Sequence, residues 1–523
     1  MTCAADASGP LILSVDQSTS ATKAFLFNRA GSLVERASVP HGQTYPRPGW
    51  VEQNPEEIRD NALAAIDQVL QKTGIDDVSI PSRILALTIS NQRETILAWD
   101  GRTGSPVCNA ITWQCGRATS ICKKMEAEGY AEFVRKRTGL RLSPYFSAAK
   151  ASWIMENVEA AGRLARSGHF RLGTVDSWLI WHLTGGETHA TDCSNASRTQ
   201  LYNLRERTWD PEILDLFGIP PDALPRVLGS DERFGKVVRS GNPLQDKLAG
   251  LPIAGVMGDS HAALFGQNCF SPGMTKATYG TGSSIMMHTG EEPVDPGDSL
   301  VASVAWGRAG KVEYVLEGNI NCTGATLQWL ADDLELIGHP RESGSLAASV
   351  PDTGGVYLVP AFTGLGAPYW DPDARASLTG MSRSTRKAHL VRAAEESIAY
   401  QIKDVVDLMA TVSGQPLREL RVDGGPTRDT FLMQFQSDML GIPVACAGIE
   451  ELSAFGSCLM GGLSIGLWSG LEEIASLRKT GPVYRPSLSP ENRSVLYRGW
   501  QEAVRRTLSI PSEPADENRS AST

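Results

Sequence analysis

Two aspartates follow apolar runs in this chain: Asp16 after Leu11–Val15, and Asp259 just past Leu251–Met257. A lone carboxylate at a strand end reads most simply as a turn or helix-cap residue. Two of them in opposite halves could instead face each other across a cleft and divide the work of phosphoryl transfer. One would sit beside a divalent cation while the other accepts the proton of an attacking hydroxyl. Three small-residue turns strengthen that reading: Asp16-Gln17-Ser18-Thr19-Ser20, Tyr279-Gly280-Thr281-Gly282-Ser283-Ser284 and Asp423-Gly424-Gly425. Such turns let backbone N–H groups approach phosphate oxygens without a side chain in the way. None is a GxxxxGK[ST] loop or a GxGxxG fingerprint, and each alone is an ordinary tight turn. Together they point to a nucleotide clamped between two halves of the molecule.

Arg93 and Glu94 stand side by side after an apolar strand. A surface ion pair is the simple account. In a loop, however, both can converge on a ligand, and an Arg fork with a Glu acceptor suits a small polyol. Trp113 and Tyr145 have apolar neighbours and fit a core, or an aromatic wall against the C–H face of a polyol. His261 has no His or Cys at ligand spacing, so a metal role is not expected.

Hairpins must carry the first two turns. Leu11–Val15 and Lys23–Phe27 flank the first tip, and Thr275–Thr278 and Ile285–Met287 flank the second. Further strands are expected at Ile84–Ile89 and Leu251–Met257, with helices over Glu56–Leu70, Tyr130–Arg137 and Ala262–Gln267. Strands alternating with helices define an α/β protein whose ligands gather at strand ends. Matching hairpins about half the chain apart suggest a duplicated domain with a boundary near 255–270. From Pro486 onward no periodicity is read, and Ser512–Thr523 is expected to be a disordered polar tail.

The chain of 523 residues carries a net charge of −10, which argues against a general nucleic-acid or anionic-membrane binder. Hydrophobic residues at 41% and charged residues at 21% are those of a globular protein with ample core. The nine cysteines form no CxxC pair and are expected to be free thiols of a reducing compartment. No signal peptide is expected from MTCAADASGP, nor a bilayer span, so the expected location is the cytoplasm.

With these residues in view, the chain resembles the FGGY carbohydrate kinases, and among them it is most similar to the glycerol kinases. The resemblance covers about residues 10–470 and rests on collinear blocks, among them DQSTSATKA (16–24), NQRETILAWD (91–100), GDSHAALFGQ (258–267), YGTG (279–282), AFTGLGAPYWDPDAR (361–375) and RVDGGPTRDTFLMQFQSDMLG (421–441). It implies two actin-like (ribonuclease-H-like) α/β domains flanking a catalytic cleft that closes over Mg·ATP and a polyol. Residues 10–258 would form the polyol-binding domain and 259–475 the nucleotide-binding domain, with 476–523 as an extension and tail. The implied activity is ATP-dependent phosphorylation of a terminal hydroxyl of glycerol or a similar small polyol. Other members act on longer alditols or ketoses, and a non-kinase actin-like ATPase is the remote alternative.

Carried over by position, Asp259 would be the general base, and Arg93, Glu94, Trp113 and Tyr145 would hold the polyol. Asp16 would organise Mg²⁺. Thr19, Ser20, Lys23, Gly280, Thr281 and Gly282 would meet phosphates, and Gly424, Gly425 and Asp429 would border the adenosine. Two positions depart from the glycerol kinase pattern at the polyol: Ser260 stands where Gln is usual, and Ser284 where an aromatic wall is usual. Both changes imply a roomier, more polar pocket that could admit a four- or five-carbon alditol. Members of the family form dimers and tetramers, and a homodimer or homotetramer is compatible with the resemblance.

Overall fold

The computed structural model describes residues 9–509. The first central sheet contains β1 (Leu11–Gln17), β2 (Ala21–Asn28), β3 (Leu33–Pro40), β4 (Ile84–Asn91), β5 (Arg233–Lys236) and β6 (Pro252–Gly258). The second contains β7 (Thr275–Tyr279), β8 (Ser283–Gly290), β9 (Val301–Arg308), β10 (Lys311–Ile320), β11 (Leu420–Gly424), β12 (Val444–Ala447) and β13 (Thr480–Tyr484). The helices that serve them are α1 (Pro55–Thr73), α2 (Ala131–Thr138), α3 (Asp259–Gly266), α4 (Gly324–Asp332), α5 (Lys387–Ser413), α6 (Thr430–Leu440), α7 (Leu452–Ser464) and α8 (Pro490–Thr507).

Strand order is β5-β6-β4-β1-β2-β3 in the first sheet and β9-β10-β8-β7-β11-β12-β13 in the second. From β3 inward, the first sheet runs antiparallel, antiparallel, parallel, parallel, antiparallel. From β10 inward, the second repeats that pattern through β8, β7, β11, β12 and β13. The chain is therefore built from two copies of one α/β topology, the actin-like arrangement that the resemblance implies. The two hairpins read from sequence, β1–β2 and β7–β8, occupy equivalent places in the copies.

Parallel strands covered by helices on both faces read as continuous apolar runs, and β1 is buried along its whole length. One face of the first sheet packs with α1, whose start is capped by Asn54 and preset by Pro55. The opposite face packs against α3 and α7, so a helix from the second half of the chain covers the first sheet. A polar seam fixes that contact: Ser14 Oγ donates to Ala454 O at 2.8 Å, and Thr88 Oγ1 donates to Ser14 Oγ at 2.8 Å. Gly456 lies against the Ala262 carbonyl, where a Cβ would clash, so α7 crosses α3 at backbone distance.

The chain after Pro486 departs from expectation. It forms α8, begun by a Ser489 cap and Pro490, with Trp500, Ala503, Val504 and Thr507 buried along one face. That spacing of three, four and seven is helical and was missed in the sequence because the exposed face is densely charged. Trp500 Nε1 donates to the buried Asp404 carboxylate at 2.7 Å, which Tyr369 and Tyr497 also approach with their hydroxyls. Ser512–Thr523 lies outside the described residues. Among them, no helix is long and apolar enough to cross a membrane, and the eight cysteines present are free thiols.

Candidate active site

The topology brings the two aspartates together on one lobe. Strands β1 and β6 flank β4 in parallel, so Asp16 near the end of β1 and Asp259 just past β6 share one carboxyl edge of the first sheet. This corrects the picture of two carboxylates facing each other from opposite halves. Asp259 opens α3 instead of preceding it, and its side chain is one-third exposed. Its Oδ1 accepts the Ser260 N–H at 2.6 Å and lies 3.3 Å from Arg93 Nε. Asp16 is buried and accepts the Ser90 hydroxyl at 2.7 Å. Burial pushes its carboxyl up to about 6, with Asp259 adding to the rise and Ser90 opposing it.

Arg93 and Glu94 are not a surface pair. They are 6% and 2% exposed and belong to a buried cluster with Arg198 and Glu317, each fully enclosed. Arg93 donates through both terminal nitrogens to Glu317 at 2.9 Å, a bidentate fork. Arg198 Nε donates to Glu94 Oε1 at 2.6 Å, and its Nη1 lies 2.9 Å from Glu317 Oε2. Burial pushes the Glu317 carboxyl up, but Arg198 and Arg93 outweigh it and hold it well below the usual range. Glu94 has a left-handed backbone, φ 64°, a conformation that non-glycine residues rarely adopt and that gathers at functional sites.

Beside this cluster, Trp113 and Tyr145 meet edge to face with ring centroids 5.5 Å apart. Trp113 Nε1 donates to Thr19 Oγ1 at 3.0 Å, which ties the aromatic wall to the first hairpin tip. Ser20 is exposed at that tip. Lys23 is held away from it by Glu451, whose carboxylate lies 3.2 Å from its Nζ. On the second hairpin, the Ser284 hydroxyl reaches Glu317 Oε1 at 3.4 Å.

The tip of that second hairpin borders a separate cavity of about 740 Å³, lined in part by Gly280, Thr281, Gly425, Asp429, Trp329 and Arg428. Gly282 and Gly424 support its rim from behind. A Cβ on Gly282 would strike the Ile320 carbonyl, and Gly424 has φ 100° where a Cβ would strike the Tyr279 carbonyl. Asp429 serves first as the cap of α6, accepting the Phe431 and Leu432 N–H groups at 2.8 and 3.1 Å. Thus β7–β8 joins the two regions: its tip faces the large cavity, and Ser284, three residues on, touches the charged cluster.

Arg198, Glu317 and Ser90 were not singled out in the sequence. A glutamate inside the apolar strand Tyr314–Ile320 is a usable signal, since an unpaired charge there would be costly. Among the described residues no group of three or more His, Cys, Asp or Glu side chains encloses a metal ion. A single buried carboxylate such as Asp16 suits a cation of another kind, one whose remaining ligands are phosphate oxygens and water.

Comparison with known proteins extends over 95–96% of the chain. The profile of the FGGY family of carbohydrate kinases, N-terminal domain, matches residues 11–266, and that of the C-terminal domain matches 275–465. Glycerol kinase 2 of Thermotoga maritima is 47% identical over 497 residues, covering 95% of this chain and 98% of that protein. Glycerol kinase of Symbiobacterium thermophilum is 48% identical over 502 residues, covering 96% and 99%. The crystal structure of Plasmodium falciparum glycerol kinase with ADP superposes with a TM-score of 0.91 at 33% identity, covering 96% of this chain and 99% of that one. A gluconate kinase from Lactobacillus acidophilus, 23% identical with a TM-score of 0.84, shares the fold over 95% and 98%. The chain belongs to the FGGY family of carbohydrate kinases.

Proposed function

We propose that this protein transfers the γ-phosphoryl group of ATP to a terminal hydroxyl of glycerol or a glycerol-like short polyol. One observation carries the reading. A one-third-exposed carboxylate, Asp259, stands beside a buried Arg–Glu cluster and an aromatic wall, and one hairpin links that cluster to a nucleotide-sized cavity. The curated relatives that match over nearly the full chain are named glycerol kinases, which supports the choice of acceptor.

In this scheme Arg93, Glu94 and Tyr145 orient the acceptor hydroxyls, and Trp113 lies against its carbon face. Asp259, with Oδ1 engaged by Arg93 and Ser260, offers Oδ2 to the terminal hydroxyl and takes its proton. The freed oxygen lone pair forms the new O–P bond as the bond to the ADP oxygen breaks in line. Backbone groups at the Thr19–Ser20 and Gly280–Gly282 tips meet the phosphates, and Lys23 joins them by leaving Glu451. Gly424, Gly425 and Asp429 border the nucleoside. Magnesium bound with the nucleotide supplies neutralisation of phosphate charge, and Asp16 is the residue that would hold it, directly or through water. The cost of burying Asp16 beside Asp259 is the kind of strain a cation relieves.

Purified protein given ATP and Mg²⁺ is expected to release ADP only when a polyol is added. The same assay has a pH signature. Asp16 carries its charge only above about pH 6 in the free enzyme. At saturating polyol, kcat/KM for ATP should therefore fall about tenfold per pH unit below that point. ADP release independent of polyol would refute the kinase reading, and a profile flat to pH 5 would remove Asp16 from the cation.

A further inference from the structure

A second cavity, about 370 Å³, adjoins the charged cluster, and Asp259 is not among its lining residues. Tyr145, Arg198 and Glu317 belong to both, and Arg141, Asn319 and Asn321 line the far part. Its volume holds roughly a dozen waters at liquid density, well beyond what a three-carbon triol fills.

The walls hold unmet hydrogen-bonding capacity. Arg198 Nη2 is fully buried with no hydrogen-bond partner, and so is Arg141 Nη1. Buried orphan donors are uncommon in folded proteins and point to a missing acceptor. Arg141 is held in place by its guanidinium lying 4.5 Å from the ring centre of Trp370, whose own Nε1 is anchored on Ser299 O at 2.7 Å. Trp370 also has a left-handed backbone, φ 52°. The side-chain amides of Asn319 and Asn321 make no hydrogen bond to the described residues and add both donors and acceptors.

The strands fix the direction of this cavity relative to the reaction. Ser284 pairs with Asn319 across β8 and β10, and Glu317 lies two residues from Asn319 on the same face. Along β10, about 7 Å separates the cluster that grips Arg93 from the first asparagine. Charge decides the class of ligand. The cavity's own charged lining is Arg141, Arg198 and Glu317; Arg198 is already matched by Glu94 and Glu317, and Arg141 has Asp298 and Glu126 as its charged neighbours, so no charge is demanded of the ligand.

We infer that the acceptor site continues into this cavity and takes the distal hydroxyl-bearing end of an uncharged open-chain polyol of four or five carbons. The hydroxyls at that end accept from Arg198 Nη2 and Arg141 Nη1 and exchange hydrogen bonds with Asn319. This rests on the kinase reading above and extends it.

The test is kcat/KM of the full chain on glycerol, erythritol, xylitol and erythronate, repeated with Asn319→Leu and Arg141→Met. Erythritol or xylitol is expected to equal or exceed glycerol. Each substitution is expected to lower the longer-polyol to glycerol ratio about tenfold, the worth of one lost hydrogen bond in a buried site. The ratio is read within one preparation, so partial misfolding cancels. Glycerol preferred more than tenfold over both longer alditols, a ratio unmoved by both substitutions, or preference for erythronate would each overturn the inference. ADP release with no acceptor at all would instead overturn the kinase reading, and the inference with it.

Discussion

Asp259→Asn is expected to lower kcat by about 100- to 10,000-fold, the range for a well-placed general base. The substitution keeps shape, and the amide oxygen can still accept from Arg93 and the Ser260 N–H, so the local fold should survive. What is lost is the ability to take a proton as the hydroxyl oxygen bonds to phosphorus. KM for ATP should change by no more than a few-fold, because the cavity proposed for the nucleotide is lined mainly from the second hairpin, α4 and the segment 425–429. Steady-state rates with saturating glycerol, with ATP binding measured separately, separate these two effects. A kcat within tenfold of the parent would take proton transfer away from this residue.

The second large effect concerns Arg198, which touches neither the reacting hydroxyl nor the nucleotide in this scheme. Arg198→Met removes the main counter-charge of Glu94 and half of that around Glu317, both buried. Leaving a buried carboxylate without its partner costs about 3–5 kcal/mol. For a lobe of this size that lowers the thermal midpoint on the order of 10 °C. Removing both members, Arg198→Met with Glu317→Met, should cost less than the two single changes summed, since no orphan charge remains at that contact. Calorimetry of the three variants decides this. A midpoint within 2 °C of the parent for Arg198→Met would show that water reaches the cluster and screens it.

Glu317 also gives the cluster a pH dependence of definite sign. Its carboxyl is held well below the range of the unfolded chain, so its pairing contributes stability above about pH 4.5 and loses it as acid protonates the folded form.

Much of the framework was readable from residue pattern alone. LILSV, ILALTI and PIAGVM are apolar runs because their strands lie between helix layers, and each ends in the polar residues that make the site. The equivalence of the two hairpins was also visible, since each needs small residues where backbone crosses backbone. Helix bounds shifted by a turn at most, as at α3, where Asp259 starts the helix instead of preceding it.

Pairings across the chain were not readable. Arg198 meets Glu94 from 104 residues away, and Glu317 meets Arg93 from 224. Nothing in local spacing encodes such contacts. They follow from strand order, which also decides that Asp16 and Asp259 share an edge. Adjacent Arg93 and Glu94 fitted either a surface pair or a loop pair converging on a ligand, because both have the same sequence. Only the left-handed turn at Glu94 and the enclosing β10 make them interior. The helix at 490–507 was hidden by its own charge, since Glu491, Arg493, Arg498, Glu502, Arg505 and Arg506 outnumber the buried stripe of Trp500, Ala503, Val504 and Thr507.

The most direct measurement is a crystal structure of the closed protein with glycerol and a non-hydrolysable ATP analogue. The account predicts a terminal glycerol oxygen within hydrogen-bond distance of Asp259 Oδ2, about 2.6–3.2 Å, and in line with the γ-phosphorus. An Asp259 carboxylate turned to bulk water while another residue contacts that hydroxyl would contradict it.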